Sequence, residues 1–78
     1  MYLSVIQVVP LENYLLKLTF QNEEVKLFDM KPYLDKGIFT ELMNKNLFNS
    51  VKISFDSIEW ANEADLDPEF LYEYSQKI

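Results

Sequence analysis

Glu63, Asp65 and Asp67 stand two residues apart, the spacing with which carboxylates open a calcium-binding loop. Counted from Glu63, however, Pro68 falls where such a loop needs its sharp-turn glycine, and Tyr74 where it needs a bidentate glutamate. The same residues fit the start of a helix: Asp67 as N-cap, Pro68 in the first helical position, Glu69 in the first turn against the positive end of the dipole, and Asp65 capping the preceding turn. Capping gives Asp65 and Asp67 a role and puts Pro68 where it fits, which the metal reading does not, so no metal or other cofactor is expected. Catalysis fares similarly, because the chain has no His and no Cys and so lacks the commonest general base and the strongest nucleophile. A glycosidase-type carboxylate pair needs two groups facing each other across a cleft, and a chain of 78 residues offers little concave surface. A non-enzymatic protein is expected.

The charge pattern points to association instead. Residues 1 to 52 hold six acidic residues and six Lys, whereas from Ile53 onward Asp56, Glu59, Glu63, Asp65, Asp67, Glu69 and Glu73 face only Lys77. The whole net charge of −6 is therefore carried by the C-terminal third, which repels phosphate backbones. With no Arg to supply a bidentate fork, direct nucleic-acid binding is not expected. A small basic protein is the partner that this balance suits, with Glu63, Asp65, Glu69, Tyr72 and Glu73 as the candidate interaction surface. The plainer reading of the same carboxylates is a solvated face that keeps the protein soluble. Trp60 is in phase with Ile58 on a strand and belongs to the core, leaving Tyr72 and Tyr33 as the aromatic residues available for recognition.

These residues need elements to position them. With 49% hydrophobic and 26% charged residues the chain belongs with folded globular proteins, and its length allows one domain, residues 1–78. Without Cys it must be held by packing alone, to which its twelve aromatic residues contribute the largest apolar surfaces. No apolar run approaches the ~20 residues of a membrane span, and no basic-then-apolar leader opens the sequence, so a cytoplasmic, non-membrane protein is expected.

Val5 to Val9 predicts a first strand stopping at Pro10. Tyr14, Leu16, Leu18 and Phe20 alternate with Leu15, Lys17 and Thr19, predicting a second strand with one buried face. Gln21 to Glu24 is a polar break in which Asn22 suits a left-handed turn. Val25 and Leu27 then alternate with Lys26 in a third strand, closing a hairpin. Between Asp29 and Ser50 the period changes to short helical turns, with Pro32 at a first helical position, Gly37 as a terminator, and Ile38, Phe39, Leu42 and Met43 on one covering face. Val51, Ile53 and Phe55 alternate, Asp56-Ser57 turns, and Ile58 and Trp60 continue the apolar face. The last helix begins at the Asp67 cap, with Leu66 stapled to Leu71, and presents Phe70, Leu71, Tyr74 and Ile78 on one face. The class is α+β: one largely antiparallel sheet of about five short strands, with short helical turns after the third strand and a C-terminal helix.

The run Phe55-Asp56-Ser57-Ile58-Glu59-Trp60-Ala61-Asn62, followed by Ala64-Asp65-Leu66-Asp67-Pro68-Glu69 and Leu71-Tyr72, resembles the bacterial domain-of-unknown-function family 2442. Val9-Pro10, Tyr14-Leu15-Leu16, Phe20, Phe28-Asp29 and the segment from Gly37-Ile38-Phe39 through Leu42 extend the resemblance over nearly the whole chain. The family pattern has glycines near Asn22 and at Glu63 that this sequence lacks. The resemblance implies a small α+β domain whose gene often neighbours that of another small protein, an arrangement like that of toxin–antitoxin pairs. An antitoxin-like or accessory interaction module is thus the leading expectation. The alternative is a ligand-sensing domain, or one that self-assembles through an unpaired sheet edge.

Overall fold

The computed structural model describes residues 3–78 and is α+β. Strands β1 (Val5–Leu11), β2 (Leu15–Phe20) and β3 (Val25–Asp29) form an antiparallel meander, and β7 (Gln76–Lys77) extends it beside β3. Strands β4 (Lys52–Ser54), β5 (Ser57–Glu59) and β6 (Asp65–Leu66) make a second antiparallel sheet. Two 3-10 segments, Lys31–Tyr33 and Gly37–Met43, lead into helix α1 (Lys45–Phe48), and helix α2 (Pro68–Tyr74) follows β6. The strands therefore divide between two sheets instead of forming one. The division falls where Val5 N–H donates to Asp56 O at 2.9 Å, bringing the β4–β5 turn to the start of β1. Among the described residues no helix is long and apolar enough to cross a membrane.

The alternation in β2 is realised with Leu16, Leu18 and Phe20 buried, while Tyr14 lies before the strand with a left-handed φ of 60°. β1 does not stop at Pro10 but runs to Leu11. It is the edge strand of its sheet, with β2 on one side only, and an edge is where a strand tolerates a residue that has no N–H to donate. In the β2–β3 turn Glu23, not Asn22, is left-handed, with φ 71°. Asn22 instead accepts from Glu24 N–H through its side chain at 3.1 Å.

The phase of β3 is opposite to that expected. Phe28, the larger apolar group, takes the core side, and the period of two carries Lys26 inward with it while Val25 and Leu27 stay half-buried. Lys26 is accommodated because its Nζ donates to Tyr72 O at 2.7 Å and lies 3.7 Å above the Tyr72 ring.

In three segments, apolar side chains leave the faces assigned to them. In Gly37–Met43 the 3-10 period of three puts Phe39 and Leu42 on the core side and leaves Ile38 and Met43 exposed. The β4–β5 turn is Phe55-Asp56, both left-handed (φ 49° and 67°), so Ser54 pairs with Ser57 and Phe55 stands at the tip, 97% exposed. Helix α2 ends at Tyr74, because Ser75 turns extended and Gln76 and Lys77 pair with Leu27 and Lys26, satisfying the open edge of β3. Tyr74 and Ile78 are consequently exposed.

One buried cluster joins both sheets to α2 through Leu18, Phe20, Phe28, Ile58, Trp60 and Leu71. Trp60 is a core residue, 1% exposed, and its indole N–H donates to Phe48 O at 3.0 Å.

Candidate interaction surface

Helix α2 is set by its first turn. Asp67 is extended, its carboxylate accepts from Glu69 N–H at 2.8 Å, and Pro68 follows, as its sequence predicts. With Leu71 buried and Phe70 against Phe28, the solvent side of the helix presents Glu69, Glu73 and Tyr74. A shallow concavity of about 720 Å³ runs along it, lined by Asp67, Glu69, Tyr72, Glu73 and Tyr74. A second, of about 350 Å³, lies under the β4–β5 tip and is lined by Phe55, Glu59, Asp65 and Asp67. Asp67 belongs to both, so the two make one surface with five carboxylates and no lysine among its lining residues. None of the five takes part in an ion pair among the described residues, where the three pairs join Lys31 to Asp29, Lys36 to Asp35 and Lys77 to Glu24.

Of the residues singled out from sequence, Asp65, Glu69, Tyr72 and Glu73 come together on this surface. Glu63 does not line it. Glu63 occupies a left-handed turn position, φ 71°, and its N–H donates to Trp60 O at 2.9 Å. Glu63 thus holds a left-handed turn without glycine, as Glu23, the neighbour of Asn22, does in the β2–β3 turn.

Tyr72 lines the concavity but is not a free anchor. Its ring packs edge-on to Phe20 at 5.0 Å, and its hydroxyl donates to Glu24. That hydroxyl, and then the Asn22 amide, hold the Glu24 carboxyl below its usual range, while the bond to the carboxylate pushes the Tyr72 phenol up. Tyr33, expected outside, is half-buried and stacked on Phe28 at 5.6 Å. The exposed aromatic groups of the surface are instead Tyr74 and Phe55, 58% and 97% exposed, both of which the apolar periodicity places inward. For Phe55 the signal was present in Asp56, a residue tolerant of left-handed backbone; only the frame of the two-residue loop differed by one position.

Among the described residues no group of three or more Asp or Glu side chains is placed to hold a metal ion. Against families of known proteins, the model described as "Protein of unknown function (DUF2442)" matches residues 5–77. No curated protein and no solved structure matches the chain.

Proposed function

We propose, on the premise that this chain belongs to the DUF2442 family of proteins of unknown function, that it is a non-enzymatic module which binds a small basic protein. The observation that carries this reading is the continuous surface around Asp67, where five carboxylates, none in an ion pair with a described residue, share the lining with exposed Phe55 and Tyr74. Aromatic anchors inside a charged rim are the usual composition of a protein interface, and a rim of one sign selects a partner of the other. Lysine and arginine side chains of the partner would meet both carboxylates and aromatic faces there. Such a surface suits neutralisation of a basic partner in the cytoplasm, the antitoxin-like role that the family resemblance implies.

The test is affinity capture from the source cell with the wild-type chain and with a Glu69→Lys/Glu73→Lys variant of unchanged circular dichroism. A basic protein retained by the first and lost by the second is expected. A bound protein that both retain equally overturns the acidic-surface reading.

A further inference from the structure

On a different part of the molecule, the turn joining β1 to β2 meets helix α1 around a hollow of about 340 Å³, within the size range of small-molecule sites. Its apolar wall is Leu11 with Tyr14 and Phe48, whose rings meet edge-on at 5.2 Å. Glu12 lines it from the turn and Lys45 from the helix, yet the two form no ion pair with each other or with any described residue. Asn13 and Asn49 complete the polar lining, and neither uses its side-chain amide in a hydrogen bond among the described residues.

The hollow is held in shape by its frame. Asn13 and Tyr14 are consecutive left-handed residues, φ 62° and 60°, a conformation that an aromatic residue keeps only when its surroundings hold it there. Four contacts do so. Tyr14 hydroxyl donates to Met43 O at 2.5 Å, Met30 N–H donates to Tyr14 O at 3.0 Å, Lys31 Nζ donates to Asn13 O at 2.9 Å, and the Tyr14 ring rests on Phe48. All four fix backbone and ring while leaving the lining carboxylate, ammonium and amides unengaged.

From this arrangement we infer that the hollow binds a zwitterion of amino-acid size, its carboxylate at Lys45, its ammonium at Glu12, and its side chain on Leu11 and Tyr14. A ligand carrying both charges pairs with both lining groups at once, whereas one carrying a single charge pairs with only one of them. The amides of Asn13 and Asn49 supply neutral donors and acceptors to either end.

The test is a titration of the 15N-labelled full chain, followed by amide chemical shifts. The probes are L-leucine, its carboxamide and its N-acetyl derivative, each raised to about 20 mM, a range that reveals weak binding. Saturable shifts confined to residues 11–15 and 45–49 are expected with leucine, with each single-charge analogue weaker by about tenfold. Glu12→Gln and Lys45→Gln, both at exposed positions, are each expected to weaken leucine by a similar factor while leaving the remaining spectrum in place. No saturable shift with leucine, equal binding of all three probes, or shifts centred on α2 would each overturn the inference. Because the readout sits apart from the Asp67 surface, failure here leaves the partner-binding proposal standing, and the reverse also holds.

Discussion

Among the described residues six other than glycine hold a positive φ, in a chain with one glycine, and two of them sit together at the tip of the β4–β5 hairpin. Phe55 there combines a left-handed backbone with almost complete exposure, so it gives the fold neither good geometry nor burial. Phe55→Asn is therefore expected to stabilise the domain by about 1 kcal/mol, read from the midpoint of chemical denaturation, while weakening any complex made through the Asp67 surface. Loss of stability on that exchange would mean that the ring packs on its own chain. A second residue-scale expectation concerns pH. The Glu24 carboxyl is held low mainly by the Tyr72 hydroxyl, so its contribution is present above the ordinary carboxylate range and is lost as pH falls through the lowered value. The Tyr72 phenol is raised, so its contribution is present below the ordinary phenol range and is lost as pH rises through the higher value. Tyr72→Phe should accordingly flatten both limbs of a stability-against-pH curve and leave the shape of its neutral region alone. Asp67 was legible in the sequence because a cap is local, decided by the next two residues. Lys26 was not, since its inward position depends on Phe28 winning the core side and on Tyr72, forty-six residues away, receiving the ammonium.

At the scale of elements, what was legible followed from short-range pattern. The β2–β3 hairpin came from strict alternation across a polar break, and α2 from its Asp-Pro-Glu start. Asp67→Ala is expected to cost about 1 kcal/mol, the usual loss for an N-cap, with an unchanged denaturant slope. An unaltered midpoint would show that Glu69 N–H finds water equally well. Element ends were less legible, because they depend on partners distant in sequence. β1 passes through Pro10 only because it lies on an edge, and α2 stops at Tyr74 because the following residues are claimed by β3. The covering segment went half astray for a different reason, namely that a 3-10 turn repeats every three residues and selects Phe39 and Leu42 from the four apolar groups available.

For the whole molecule, the separation of charge was readable from composition, whereas its convergence on one surface required the fold. The turn after β5 and the first turn of α2 bring Glu59, Asp65 and Asp67 to the same concavity, and no sequence spacing encodes that. If the surface binds a basic partner, association should slow as ionic strength rises from 0.05 to about 0.5 M, because rim charges act on encounter and are screened by salt. Charge reversal at Glu69 and Glu73 should lower the on-rate, and Tyr74→Ala should raise the off-rate, both measurable in one kinetic series. Salt-independent association would redirect attention to the β1 edge. The placement of α2 and β7 carries a further consequence, for how the protein is made. The meander β1–β3 leaves the ribosome first, but Phe20 and Phe28 are covered by Tyr72 and Phe70, which emerge among the last residues of the domain. A nascent chain must therefore hold its future interior bare until translation has passed α2, and a stalled or clipped product without that helix becomes a client for chaperones and proteases.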